Sequence, residues 1–257
     1  MKVLYEDKYL LVCEKPVGIE SQKSSANKSD MPTLLARYRA EKGEDTYIGV
    51  VHRLDTATGG AMIYSKREDM TGDLSALVSS GEYKKTYLAV VHGIPEKREG
   101  EMRDLLYHDR QKNKSYVCDK KRNGVKEAIA NYRLLESTEK EDGEKVSLVE
   151  VELVTGRTHQ IRVQFASRKM PIVGDGKYGS RDNKATCALW SHKVEFTHPV
   201  TKKRIVAESK PCDEYPWSIF NISKGEKFEN EFSNTRFVAL SAQNAPIYLE
   251  RNGHKYE

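Results

Sequence analysis

The chain reads as an α+β protein built around a mixed, largely antiparallel sheet. Short β-branched or alternating runs follow one another in series, candidate helices are few, and no internal repeat or low-complexity linker interrupts them. At 257 residues the chain is long enough to bury a real core.

The elements follow in order. "YLLVCEKP" is an apolar run stopped by Pro16 and Gly18, which predicts a strand. "SDMPTLLARYRAEKG" offers Ser29 or Asp30 as a cap and Gly43 as a stop, which predicts a helix. "GGAMIYSK" predicts a strand and "REDMTGDLSALVSSGE" a second helix. "KTYLAVVHG", "SYVCD", "AIANYRLLES" and "KVSLVEVELVTG" are further strands. In the last, Val149, Val151 and Leu153 face one way and Glu150 and Glu152 the other. "THQIRVQFASRK" predicts a short third helix starting near Thr158, with Thr158, Ile161 and Phe165 on one face and Arg162 on a neighbouring one. "KVEFTHP" closes the series. From Asn221 the chain turns polar, with isolated apolar clusters at Phe237 to Leu240 and Ile247 to Leu249. The expected organisation is a domain over 1–220 and an extension over 221–257, an appended hairpin or a loosely held tail to which no function is assigned.

No run approaches the roughly 18 to 20 apolar residues of a membrane span. The N-terminus carries Glu6 and Asp7 with no small-residue cleavage site, so a cytoplasmic protein is expected. Cys13, Cys118, Cys187 and Cys212 form no Cys-x-x-Cys pair, which suggests buried, reduced thiols rather than a zinc site or disulfide framework. Net charge is +5, which permits a polyanionic partner without requiring one. Distribution says more: between His108 and Lys126 seven Lys/Arg face only Asp109 and Asp119. That segment is either a solvated hairpin surface or a phosphate-tracking strip formed by Lys112, Lys114, Lys120 and Lys121.

Four stretches carry candidate chemistry. "GVVHRLDTATGGAMIYSK" places a lone Asp55 between two apolar runs. "VTGRTHQIRVQFA" supplies Arg157, Thr158, His159, Gln160 and Arg162 within a few positions, the two arginines being natural carboxylate or phosphate partners. "GEYKKTYLAVVHG" sets Tyr87 in an apolar strand, where a tyrosine is ordinarily core with a polar tip. "PIVGDGKYGS" is a Gly-rich turn holding Asp175, Lys177 and Tyr178, without the glycine spacing of a nucleotide-phosphate loop.

Taken together, these stretches resemble one family, the RluA-type RNA pseudouridine synthases. "HRLDTATGG" resembles its His-Arg-Leu-Asp signature, "CEKPVG" its Lys-Pro-x-Gly, "KKTYLAVVHG" its Lys-x-Tyr strand, and "GRTHQIR" its Gly-Arg-Thr-His-Gln-Ile-Arg segment. "PIVGDGKYG" and "VEFTHPVTKK" resemble the following turn and closing strand, so the likeness runs from about Val3 to Phe220. Two positions depart from the family pattern. Thr58-Gly59-Gly60 stands where Thr-Ser-Gly is usual, and Leu189-Trp190-Ser191 where Leu-His-Ala is frequent. The S4-type RNA-binding domain that precedes the catalytic domain in some relatives is not expected, because the first core strand comes almost at once.

The resemblance implies isomerisation of uridine to pseudouridine in rRNA or tRNA, without metal or organic cofactor. It implies Asp55 as the catalytic acid, acting as nucleophile on C1′ or as base on C2′. Arg162 would pair with Asp55, opposing the rise that burial imposes on a carboxylate of reference pKa about 3.9. Tyr87 would stack on the flipped base and take the C5 proton late in the reaction. Arg53 would fill the gap left by the extruded nucleotide, and Arg157 would join the basic strip in binding RNA. His52 and His159 are expected to be hydrogen-bonded framework. A monomer with no obligate protein partner is expected. The rivals are a non-catalytic RNA-binding protein, which would not need Asp55, Tyr87 and Arg162 together, and a carboxylate-dependent nucleoside or glycoside hydrolase. A hydrolase calls for a second acid, for which Asp175 is the only motif-borne candidate, in a turn better suited to a backbone role.

Overall fold

The computed structural model describes residues 2–23, 29–222, 250–251 and 254–255. The chain divides into two compact units, Met1–Phe220 and Asn221–Glu257. In the first, eleven strands of the described residues form one sheet: β1 (Val3–Glu6), β2 (Leu10–Lys15), β3 (Gly49–Val50), β4 (Gly59–Ser65), β5 (Lys84–His92), β6 (Glu99–Asp109), β7 (Lys114–Cys118), β8 (Val125–Glu139), β9 (Lys145–Leu153), β10 (Leu189–Thr197) and β11 (Arg204–Glu208). Three helices join them: α1 (Met31–Glu41), α2 (Glu68–Ser80) and α3 (Gln160–Ser167). The strand order is β1-β2-β4-β10-β5-β9-β8-β6-β7, with β11 added to β10 and β3 to β4. Every pairing in it is antiparallel except the short parallel contact of β4 with β10, where Gly59 and Gly60 meet Trp190 and Ser191. The sheet is thus mixed and largely antiparallel, as expected.

Local chemistry sets the helix ends. Asp30 caps α1 by accepting from the Thr33 amide at 2.8 Å, and Pro32 sits in the first turn where its missing N–H costs nothing. Gly81 ends α2 in the left-handed conformation. Met70, Leu74 and Leu77 of α2 are buried at helical spacing, and the two leucines pack with Leu10, Val12, Ala61, Ile63, Val194, Phe196 and Ile205 from the sheet. On the other half, Val163 of α3 packs with Leu106, Ala128 and Tyr178.

Four strands had no sequence signal strong enough to predict them: β1, β3, β6 and β11. In β6 only Met102 and Leu106 are buried, four residues apart, so neither strict alternation nor a full apolar run is present. Helix α3 begins at Gln160 rather than Thr158, because His159 adopts a left-handed conformation (φ 55°) that helical geometry excludes. In the second unit, β12 (Glu250–Arg251) pairs antiparallel with β13 (His254–Lys255). The apolar clusters at 237–240 and 247–249 lie outside the described residues. Among the described residues no helix is long and apolar enough to cross a membrane.

Candidate active site

Asp55 sits in the loop between β3 and β4, and that loop is fastened on both sides of it. Ser21 Oγ donates to the Leu54 carbonyl at 2.6 Å and accepts from the Leu54 amide at 3.0 Å. On the other side the Thr56 carbonyl accepts from the Gly18 amide at 2.8 Å and from Lys15 Nζ at 3.4 Å. The Thr58 amide closes the turn on the Asp55 carbonyl at 2.9 Å. Lys15 is fully buried and also donates to the Pro16 and Ile19 carbonyls, at 2.9 and 2.8 Å. Burial lowers its pKa to about 8, with Glu20 and Asp55 pulling the other way. The Lys-Pro-Val-Gly stretch is therefore a clamp on the backbone around Asp55, a role its sequence did not disclose.

The turn after β9 is set by one side chain. Gln160 Oε1 accepts from the Thr155 hydroxyl (2.8 Å) and the Arg157 amide (3.0 Å), while Nε2 donates to the Ile129 carbonyl (3.0 Å). This fixes the start of α3 and aims Arg162 inward. Arg162 donates from Nη1 to Asp55 Oδ2 at 2.8 Å. It also forms a two-pronged pair with Asp175, Nε to Oδ2 at 2.7 Å and Nη2 to Oδ1 at 2.8 Å. Burial disfavours the guanidinium charge, but Asp175 and Asp55 more than offset this and hold its pKa above the ordinary value. Sequence reasoning gave Asp175 a backbone role; its carboxylate is instead the buried anchor of Arg162, and only the distance in sequence between the two hid it.

His159 completes the cluster. Its Nδ1 is 2.9 Å from the Tyr178 hydroxyl, which in turn accepts from the Ser115 amide at 2.8 Å. Its Nε2 lies 3.7 Å from Asp55 Oδ2. Burial is the main cause of a pKa lowered to about 4, with the attraction of Asp55 opposed by Arg162, Lys177 and His108, so the ring is neutral near pH 7. Both neighbours approach Oδ2 of Asp55, whose side chain is 26% exposed. Tyr87, on β5 opposite Ser191 of β10, is buried. Its phenol pKa is raised, first by burial and then by the Asp55 charge, with a Ser191 hydrogen bond pulling the other way. Arg53 is exposed, its Nη1 3.5 Å from Gln22 Oε1. His52 accepts from the Ile63 amide at 3.3 Å, and burial lowers its pKa to about 3.

The structure thus brings Asp55, Arg162 and Tyr87 into one electrostatic neighbourhood. The other expected residues lie beside it. Arg157 donates to the Glu127 carbonyl at 2.9 Å and lines a groove of about 700 Å³ with His108, Arg110, Lys126, Gly156 and Thr158. Lys112 is exposed in the turn after β6, Lys114 half-buried at the head of β7, and Lys120 and Lys121 exposed in the next loop.

The two departures from the family pattern meet in space. A Cβ on Gly59 would stand 2.2 Å from the ring of Trp190, and one on Gly60 (φ 112°) 2.2 Å from the Ser191 carbonyl oxygen. Trp190 donates its indole N–H to Ser209 Oγ at 3.0 Å. Gly59 is bare because Trp190 occupies the space beside it.

Known proteins resemble the chain in sequence and in fold. The chain is 33% identical over 217 residues to the uncharacterized RNA pseudouridine synthase YhcT of Bacillus subtilis, covering 83% of this chain and 70% of that one. It is 32% identical to ribosomal large subunit pseudouridine synthase C of Buchnera aphidicola, covering 79% of this chain and 65% of the relative. The solved human RNA pseudouridylate synthase domain containing 4 superposes with a TM-score of 0.65 at 21% identity, over 82% of this chain and 88% of that one, a likeness of fold. Residues 9–167, which hold Asp55, Tyr87 and Arg162, match the RNA pseudouridylate synthase family, and the chain belongs to it as a pseudouridine synthase of the RluA type.

Proposed function

We propose that Asp55 starts the isomerisation of a uridine in rRNA or tRNA, and that residues 1–220 hold all of the chemistry. The observation that carries this reading is Arg162, held between Asp55 and Asp175. One guanidinium engages Oδ2 of Asp55, so Oδ1 faces the sugar, either to bond to C1′ as the C1′–N1 bond breaks or to take the C2′ proton. Arg53 fills the space of the extruded nucleotide, and Arg157, Lys112, Lys114, Lys120 and Lys121 meet phosphates. The enzyme works as a cytoplasmic monomer and draws on no cofactor, since the rearrangement is redox-neutral.

Tyr87 walls the pocket against the flipped base. Because burial and the Asp55 charge keep its phenol protonated, a C5 proton reaches its oxygen only as its own proton leaves; once C1′ has joined C5 the freed Asp55 carboxylate takes that proton, and N1, bared when the C1′–N1 bond broke, is protonated in turn, so carboxylate and phenol both return to their starting state. Tyr87→Phe is expected to bind RNA but stall on uridine, and to process 5-fluorouridine, which has no C5 proton, as far as the wild type does. Equal impairment on both substrates defeats this role; impairment on neither makes Tyr87 only a wall.

The hydrolase reading is disfavoured because Asp175, the second acid it needs, is committed to Arg162 through both oxygens. Pseudouridine mapping of rRNA and tRNA from cells lacking this protein, with return of the wild type or Asp55→Asn, tests the proposal. One lost position restored by the wild type alone is expected; free uracil in place of pseudouridine would establish hydrolysis instead.

A further inference from the structure

We propose that Tyr107 and Tyr116 form a stacking platform for an unpaired RNA base beside the modified uridine; this rests on the functional reading above. The two residues are direct cross-strand partners on β6 and β7, so their side chains leave the same face of the sheet. They are 36% and 38% exposed, unusual for a neighbouring pair of large aromatic rings. Among the described residues β7 ends the sheet, so no further strand of it lies beyond Tyr116.

Each ring carries a cation. The Arg122 guanidinium lies 5.6 Å from the centre of Tyr107, and Lys114 Nζ lies 5.9 Å from that of Tyr116. Lys114 Nζ is also 5.2 Å from the ring of Tyr178, whose hydroxyl holds His159. One ammonium therefore stands between a ring of the candidate active site and a ring of the outer face. The other face of the same hairpin is tied inward: Ser115 Oγ donates to the Thr158 carbonyl at 2.6 Å, and its amide to Tyr178. Aromatic faces with cations at hand, in the most basic segment of the chain, match the chemistry of a nucleotide: a base for the ring and a phosphate for the cation. A strand leaving Asp55 crosses Lys114 with a phosphate and lays a further base on Tyr116 and Tyr107. Stacking demands a base that is not paired, so the substrate class is a uridine presented in a loop or single strand.

The test measures affinity for a labelled oligouridine of about twelve nucleotides and for a blunt RNA duplex of that length. The double variant Tyr107→Ala with Tyr116→Ala is expected to lose about tenfold or more on the single strand, with an unchanged log–log salt slope because no phosphate contact is removed. Duplex affinity should hold, which also controls for the fold. Tyr107→Phe with Tyr116→Phe keeps both ring faces and should bind as the wild type does. Unchanged single-strand affinity in the alanine pair, equal loss on the duplex, or a phenylalanine pair as weak as the alanine pair would each overturn the platform. Affinity is read whether or not turnover occurs. Failure of the isomerase reading would show as absent pseudouridine with the affinity loss intact, and failure of the platform as intact affinity.

Discussion

Helices α2 and α3 bury their inner faces in opposite ways. α2 buries Met70, Leu74 and Leu77 at helical spacing, the two leucines against an apolar sheet face. α3 buries six consecutive residues, Gln160 to Phe165, and three of them are polar. Gln160 is tied to the turn before it, Arg162 to two carboxylates, and Gln164 through Nε2 to the Met102 carbonyl at 3.0 Å and Asp104 at 2.8 Å, with its buried Oε1 left unpartnered. Desolvating such groups costs several kcal/mol unless partners are built in. A fold that needed only stability would have repeated the α2 solution; α3 marks where charge must be held in place.

The sharpest break between the two helices is functional. Asp55→Asn is expected to reduce pseudouridine formation to background while RNA affinity stays within a few-fold, since the amide nearly matches the carboxylate in shape. Near wild-type turnover in a single-turnover assay would remove Asp55 from the chemistry. In stability, Arg162→Met leaves Asp175, whose side chain is 1% exposed, as an unpaired buried charge. A loss of about 3 to 5 kcal/mol in denaturant unfolding is expected. Leu74→Ala should cost about 2 to 5 kcal/mol by the cavity it opens, yet leave turnover per folded molecule unchanged.

Protons sharpen the contrast further. His159 stays neutral in the fold down to about pH 4, against an ordinary value of 6.5. Between those values the unfolded chain binds more protons, so stability falls as pH drops, by at most about 1.4 kcal/mol per pH unit from this group. His159→Gln should flatten that slope, and an unflattened urea-unfolding series from pH 6.5 to 4 would contradict it. The smallest effect belongs to the exposed strip. Replacing Lys112, Lys120 and Lys121 by Gln should weaken RNA binding and reduce the log–log salt slope by about 0.7 to 0.9 for each true phosphate contact.

How legible this was in the sequence depended on the kind of burial. Strands β2, β4, β5 and β9 announced themselves as apolar or alternating runs bounded by turn residues, β4 being buried on both faces, and helix α2 by apolar residues at helical spacing. β6 did not, since its partners are supplied by α3 and the pattern is broken by Asp104 and His108, which have polar mates. Asp55, Tyr87 and Arg162 were visible through family motifs, whereas Asp175 as the anchor of Arg162 was not, because a two-pronged pair 13 residues apart leaves no periodic trace. Lys15 was hidden for the same reason: its acceptors are backbone carbonyls, which any residue could provide.

The fit of Trp190 against bare Gly59 couples two positions far apart in the chain. With the indole in place, Gly59→Ser would drive its Cβ into the ring and strain the start of β4 just after the loop of Asp55, whereas a smaller residue at 190 would leave room for it. The two positions therefore tolerate change together and resist it singly.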